Sequence, residues 1–170
     1  YGPGRGNFVA GGGYGGKGAD YGSSRGGFPY GSVTDPIDPG SGGACENGLW
    51  GGAGGGLVRV RAAGAVRVDG TITANGNVAG DGSGSGGGVN IVCDTFHGNG
   101  GVLQANGAWS ANSAGGGGRV AVVYTNVAAQ QALGKPRVTL SAAKGTVSPN
   151  NGQYDLGTIY LPDTNLWPQI

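Results

Sequence analysis

The fold is decided by the stretch GGGLVRV, residues 54–60, together with GTITANG, residues 70–76. Both elements return twice in the same order, the last time more loosely: GGGVNIV at 86–92 with GVLQANG at 101–107, then GGGRVAV at 116–122 with RVTLSAAKG at 137–145. The copies begin at residues 54, 86 and 116, a spacing that is typical of stacked repeats. The pattern therefore predicts a repeat protein.

Alternation inside each copy indicates β-strands. Val58 and Val60 alternate with Arg59 and Arg61, as a strand with one buried and one solvated face requires. No helical periodicity accompanies these segments. The pattern predicts an all-β fold, a parallel β-helix or β-solenoid with glycine-rich turns, in which stacked copies close a narrow core. The alternative is that the GGG-rich segments form bundled polyglycine helices.

The second copy poses a question of register. Val89, Ile91 and Cys93 are its inward candidates, one position away from the first copy when the glycines are aligned. Because a slip of one residue turns every side chain to the other face, a bulge or a shifted boundary must absorb the difference. The predicted strands are 57–61, 65–69, 71–74, 89–93, 102–105, 119–124, 138–141, 146–148 and 158–161.

The length predicts a single β-solenoid domain over residues 1–170, in three parts. Residues 1–50 form a Gly/Tyr-rich insertion or cap, residues 51–161 hold the repeats, and residues 162–170 are a C-terminal tail. The first part is a long loop segment, since its prolines and glycines disfavour helix and central strand. Its one strand-like fragment is NFVAGG, residues 7–12. Four aromatic residues are expected to anchor the segment on the core: Tyr14, Tyr21, Phe28 and Tyr30.

Charge is scarce along the chain. Charged residues make up 11% of the sequence and the net charge is +1, so there is no basic field for a nucleic acid and no nucleic-acid partner is expected. The sequence shows neither an 18-residue apolar run nor a charged-then-apolar leader, and we expect no membrane span. A surface built from Gly, Ser, Asn and Thr predicts an extracellular or cell-surface location.

Two cysteines, Cys45 and Cys93, permit one disulfide. An oxidising compartment would favour that bond. The alternative is two separate thiols, with Cys93 filling a place in the core, because separation in sequence does not give the distance between the two Cα atoms.

Residues with catalytic potential are few and do not recur. The stretch GGGYGGK, residues 11–17, begins like a phosphate-binding loop, but Gly18 stands where the magnesium-binding Ser or Thr belongs. His97 is the single histidine and has no partner in sequence. The one candidate catalytic wall is expected to be a solvated face: Arg59, Arg61, Arg67 and Asp69. We therefore predict no catalytic, cofactor-binding or metal residues, and a protein that is not an enzyme.

Calcium stays open as an alternative cofactor. Repeat proteins often bind calcium through an aspartate that recurs in each copy, but Asp81 does not recur here. Asp35 and Asp38, in TDPIDPG, are equally typical of turns.

Trp50 and Trp109 are the candidate ligand-stacking residues, since an indole ring can lie against the face of a sugar ring. They support an alternative function, a carbohydrate-binding or carbohydrate-cleaving β-helix, with glycans as partners.

Several stretches resemble the glycine-rich repeat regions of large secreted or cell-surface proteins: YGS at 30–32, PGSGG at 39–43, GGAGGGLVRV at 51–60, VDGTITANG at 68–76, GGGGRVAVVY at 115–124 and LGTIYL at 156–161. Such regions occur in bacterial giant surface proteins, in plant glycine-rich proteins and in mastigoneme proteins. The resemblance implies an extracellular β-solenoid that serves as a spacer, fibre component or adhesin, and it brings no catalytic residues.

The leading hypothesis is therefore an extracellular structural or assembly module, a component of a fibre, surface layer or adhesin, without catalytic activity. Its expected partners are further copies of itself or other domains of a larger surface protein. Solenoid ends that need a cap or a neighbour motivate the self-association.

Overall fold

The computed structural model describes residues 2–46, 50–147 and 152–163. Short strands alternate with extended glycine-rich segments. The elements in chain order are β1 Leu57–Arg61, β2 Val66–Arg67, β3 Thr71–Thr73, β4 Gly88–Cys93, β5 Phe96–His97, β6 Asn99–Gln104, β7 Arg119–Tyr124, α1 Val127–Leu133, β8 Arg137–Ser141 and β9 Thr158–Tyr160.

Corresponding strands of successive copies lie side by side. They pair in parallel and give three sheets, with strand orders β1-β4-β7-β9, β2-β5 and β3-β6-β8. Each copy thus contributes its strands to different sheets, and every sheet is held together by long-range backbone hydrogen bonds between copies.

The register keeps the inward positions of the copies in phase. Val58 lies opposite Val89, and Val89 lies opposite Val120. This pairing differs by one residue from an alignment of the glycine runs, so a shifted boundary between glycines and strand absorbs the predicted slip. A register shift does occur elsewhere, between Asn99 and Gly101 where β6 meets β8.

The core lies where the inward rows of the three sheets meet. Val89, Ile91 and Leu103 in the middle copy are fully buried, whereas Val60 and Ile72 in the first copy are only partly buried against the core. Burial of apolar side chains is the main stabilising contribution here, at roughly 25 cal/mol per Å². The buried cluster consists of Val68, Ala74, Val89, Ile91, Cys93, Phe96, Leu103, Ala105, Val120, Val122, Tyr124, Val138, Leu140 and Ala142.

The glycine-rich segments outside the strands pack together into a second body, which we call the glycine body. They lie side by side in close backbone contact, and backbone N–H groups of one segment donate to carbonyls of another. Gly84 donates to Asn77, Gly86 to Gly116, and Gly116 to Gly12, at 2.9–3.0 Å. Residues 82–87 and 113–118 are buried at the centre of this body. Bundling of the glycine segments, the alternative arrangement, describes these residues better than turns do.

The prediction of an all-β parallel β-helix or β-solenoid is wrong. Helix α1 follows β7 in the third copy, and the strands form three separate parallel sheets that are not curled into one helix, so the domain is a small α/β-like unit. The cause is local sequence. Asn126 caps the helix by accepting the Ala129 N–H at 3.1 Å, VAAQQAL is rich in helix-forming residues, and Gly134, with φ 78°, ends it.

Helix α1 takes the place of a third strand beside β5. The buried side-chain amide of Gln130 accepts a hydrogen bond from the Phe96 N–H at 2.7 Å and donates one to the Phe96 carbonyl at 2.8 Å. The Gln130 side chain thereby forms with β5 the hydrogen bonds that the backbone of a neighbouring strand would form.

The N-terminal segment is anchored differently from the prediction. Tyr14 is fully buried and packs on Tyr30, with ring centroids 4.8 Å apart, whereas Tyr21 and Phe28 are exposed and do not anchor the segment. The buried Arg119 guanidinium joins this segment to β7. It donates to the Tyr30 carbonyl at 2.6 Å and to the Tyr14 carbonyl at 3.3 Å, and it lies over the Tyr14 ring.

Strand bounds differ from the prediction mainly at the ends. Residues 7–12 contain no strand, and neither do residues 146 and 147, while residue 148 and the end of the C-terminal tail from residue 164 lie outside the described residues. Strand β5 was not predicted at all. It has only two residues, within DTFHGNG at 94–100, too few to carry an alternation that could be detected.

Candidate functional site

The glycine body has two ends with different properties. At one end the segments of the repeats continue into the strands, and at the other end the segments are joined by loops. We call the surface formed by these loops the loop face; it comprises residues 7–9, 20–24, 45–46 with Trp50, 77–81 and 108–112.

Backbone contacts show that the first loops are neighbours. The Asn7 N–H donates to the Arg25 carbonyl at 3.1 Å, and the Arg25 N–H donates to Asn7 Oδ1 at 2.5 Å. Just below the loops, Ala44 donates to Ala10 and Gly82 donates to Ala44, at 2.9 and 3.0 Å. The N-terminal loops therefore lie beside the loops of the repeats.

Asp81 ties the remaining loops together. Its carboxylate accepts hydrogen bonds from Cys45 Sγ at 2.6 Å and from Asn112 Nδ2 at 2.9 Å, and its carbonyl accepts from the Ser110 hydroxyl. Three loops far apart in sequence thus meet at one carboxylate, which makes the loop face a continuous surface.

The loop face carries exposed apolar side chains. Trp50 is 88% exposed, Phe8 63%, Val78 61% and Trp109 52%. Phe8 holds a φ of 53°, a left-handed conformation that a bulky non-glycine residue rarely adopts. The backbone at this position thus keeps an aromatic ring in solvent at a conformational cost, which is common at functional sites.

A groove begins at Trp50 and runs along the side of the glycine body. Its volume is about 900 Å³, and its lining is largely glycine backbone from residues 40, 42–44 and 51–54. Arg5 and Asp38 bring one positive and one negative side chain to it, and Tyr30 forms part of its wall. The groove and the loop face share Trp50.

The groove wall is fixed by hydrogen bonds. The Tyr30 hydroxyl donates to the Pro39 carbonyl at 2.5 Å and accepts from the Ser41 hydroxyl at 2.9 Å, and Ser41 Oγ accepts from the Gly4 N–H at 3.0 Å. Since Arg119 holds the Tyr30 carbonyl, the wall is anchored to β7. The site is therefore preformed.

Burial shifts the pKa values of the titratable groups in this wall and behind it. Desolvation raises the pKa of Tyr14 to about 12, although the Asp38 backbone and Arg119 act against it. Burial also raises the pKa of Tyr30 and lowers the pKa of Arg119. Both tyrosines are consequently neutral hydroxyl groups at physiological pH.

The two cysteines are free thiols with different surroundings. Cys93 belongs to the buried core, and burial raises its pKa to about 11. Cys45 borders the groove, and its hydrogen bond to Asp81 raises its pKa. The structure thus has both cysteines as free thiols, and Cys93 fills a place in the core.

The residues of the predicted catalytic wall take part in two separate sets of ion pairs. Arg61 contacts Asp35 at 2.9 Å and Arg59 lies 3.8 Å from the same carboxylate, while Arg67 pairs with Asp69 at 2.6 Å. A hydrogen bond from Asn90, together with the charges of Arg61 and Arg59, holds the pKa of Asp35 below its usual value. Asp35 thus clamps the N-terminal segment onto β1 and β4.

Metal ligands do not gather in the described part of the chain. No group of three or more His, Cys, Asp and Glu residues lies close enough together there to hold an ion. Asp81, the candidate for calcium, is engaged by Cys45 and Asn112. His97 lies in β5 opposite Arg67.

Of the two candidate stacking residues, Trp50 borders the groove and Trp109 does not; Trp109 lies on the loop face, where its carbonyl accepts from the Ser83 hydroxyl at 2.7 Å. Sequence reasoning selected both residues but missed the groove itself, because its floor is backbone and leaves no side-chain motif. Within the described residues, no helix has the length and apolarity needed to cross a membrane.

No protein-family model, curated protein or solved structure matches this chain. The resemblance to glycine-rich repeat regions stays an expectation, and function has to be argued from the site alone.

Proposed function

We propose that the protein is a non-catalytic recognition module of adhesin type, which acts outside the cell and binds its target through the loop face. The observation that carries the proposal is the gathering of Phe8, Trp50, Val78 and Trp109 on loops at one end of a body whose backbone is locked by hydrogen bonds. Large exposed apolar groups that cluster on one surface are typical of interaction sites.

The composition of the surface supports the same proposal. Recognition surfaces built from aromatic residues on glycine- and serine-rich loops bind with little loss of side-chain entropy, because aromatic rings have few rotatable bonds. A low net charge of +1 suits contacts that do not depend on long-range electrostatic attraction.

The experiment compares retention of the protein on beads coated separately with cellulose, chitin and mucin. Two triple variants with matched exposed residues are used: Phe8→Ser, Val78→Ser and Trp109→Ser on the loop face, and Ile37→Ser, Val127→Ser and Leu133→Ser elsewhere. We expect retention of the native chain on at least one coating, about tenfold weaker binding by the loop-face variant, and native binding by the control. Equal binding by both variants, or no retention of the native chain, would refute the proposal.

Assembly is a second candidate function, favoured by a separate observation. Within the described residues, β1, β2 and β3 each pair on one side only, and Val60 and Ile72 are only partly buried there. Open strand edges over an incompletely covered core favour association with another strand. Sedimentation velocity over a hundredfold concentration range tests this. Arg59→Pro should abolish any self-association, since proline removes an edge donor; a native chain that is monomeric throughout excludes it.

A further inference from the structure

We propose that the groove beside Trp50 binds a short, uncharged oligosaccharide chain. This inference rests on the proposed recognition function and names a ligand class for one part of that surface. Three properties of the groove point to this ligand class: its shape, its polar groups and its charge.

The shape is that of a trough with an aromatic platform at one end. The volume of about 900 Å³ falls within the range of small-ligand sites. Trp50 is the most exposed large apolar residue of the described chain. Its ring is open to stacking, and a sugar ring presents apolar C–H groups on its face while keeping hydroxyl groups at its edge, which suits an indole with polar surroundings.

The floor offers free backbone hydrogen-bonding groups. Gly43 and Gly52 are paired with each other across the floor at 2.9 Å. The N–H groups of Gly42, Ala53 and Gly54, by contrast, donate to no protein group within the described residues. All three residues line the groove, so these N–H groups can donate to the oxygen atoms of a ligand that is rich in hydroxyl groups.

The charge of the lining selects an uncharged ligand. Arg5 and Asp38 are its only charged side chains among the described residues, and they are of opposite sign. A phosphorylated or uronic-acid chain would meet Asp38 as well as Arg5, so a net anionic ligand gains little.

The test is calorimetric titration with cellotetraose, chitotetraose and mannotetraose, with tetragalacturonate as the charged comparison. We expect at least one neutral tetrasaccharide to bind more tightly than tetragalacturonate. Ala53 is exposed on the groove floor and its side chain has no role in the core. Ala53→Gln should therefore obstruct the groove and weaken binding about tenfold or more, while the equally exposed Ala63→Gln, outside the groove, keeps native affinity.

Tryptophan variants separate this inference from the proposed function. Trp50→Ala should lose tetrasaccharide binding, whereas Trp109→Ala should retain it but weaken retention on beads. The groove proposal is overturned if no neutral tetrasaccharide binds at about 10 mM, if Ala53→Gln binds as tightly as Ala63→Gln, or if a Gly-Ser decapeptide binds the groove more tightly than every sugar. Retention on beads that survives in Ala53→Gln would leave the loop-face function standing. Melting temperatures of all variants check that each one folds.

Discussion

The side chain of Asn75 accepts a hydrogen bond from the backbone N–H of Asn106 at 2.8 Å. The side chain of Asn106 in turn accepts a hydrogen bond from the backbone N–H of Ala143 at 2.8 Å. The repeated ANG motif thus has a structural role: at the end of each strand, an asparagine binds the backbone of the next copy. The side-chain oxygen thus accepts a hydrogen bond from a backbone N–H that lies beyond the end of the strand and has no ladder partner there among the described residues.

Asn106→Ala is expected to destabilise the chain by about 1–3 kcal/mol, because the Ala143 N–H and the Ser141 hydroxyl both lose their acceptor. Asn106→Asp retains an oxygen at that position and should cost less. Urea denaturation followed by circular dichroism measures both changes. Equal losses in the two variants would contradict the role of the Asn106 oxygen.

Gln130→Leu should lower the free energy of unfolding by about 2–4 kcal/mol, since the buried Phe96 N–H and carbonyl would each lose the hydrogen bond to the Gln130 amide. Gln131→Leu, the matched control, changes an exposed residue of the same helix and should have an effect within about 0.5 kcal/mol. Chemical denaturation distinguishes the two. A Gln130→Leu protein as stable as the control would show that α1 does not close the β5 edge.

Gly84→Ala should prevent or strongly impair folding. A methyl group at this position would overlap the Ala53 carbonyl, which is backbone and cannot move aside. Gly64→Ala offers a control, because the same methyl group at Gly64 would meet no atom within 4 Å. Soluble yield and melting temperature report the difference, and a Gly84→Ala chain that melts like Gly64→Ala would contradict the close backbone packing of the glycine body.

Stability should fall at alkaline pH because of Tyr14. Its pKa is about 12 in the folded chain, above the ordinary value of 10.0. The unfolded chain therefore loses the phenolic proton first, and the stabilisation present below pH 10 is lost as the pH rises towards 12, by about 2 kcal/mol. Urea denaturation at pH 9, 10 and 11 should show this fall. Tyr14→Phe, which cannot ionise, should show a smaller fall, and an identical pH dependence of the two proteins would contradict the assignment.

Much of the strand pattern could be predicted from the sequence, because Val58 and Val60 alternate with arginines in the first copy and the valines recur in the others. The bounds of β1 and β7 agree with the prediction. Helix α1 was missed although Asn126 and Gly134 bracket a run of helix-forming residues, and attention to capping would have found it.

The candidate site was harder to predict. Trp50 and Trp109 were recognised by residue type alone, but the groove is made of backbone groups that become neighbours only through long-range hydrogen bonds such as that between Gly43 and Gly52. Phe8 was missed, since its exposure follows from a left-handed backbone conformation that a sequence of Asn-Phe-Val does not signal.

A rigid glycine body holds the loops in place, and amide hydrogen exchange of the free protein tests this rigidity most directly. The amides of residues 84–86 and 115–118 lie outside helix and strand, yet they donate hydrogen bonds within the buried body. We predict that they exchange as slowly as the amides of β4 and β7. Exchange of these amides at the rate of an unstructured chain, while β4 and β7 remain protected, would contradict the rigid glycine body.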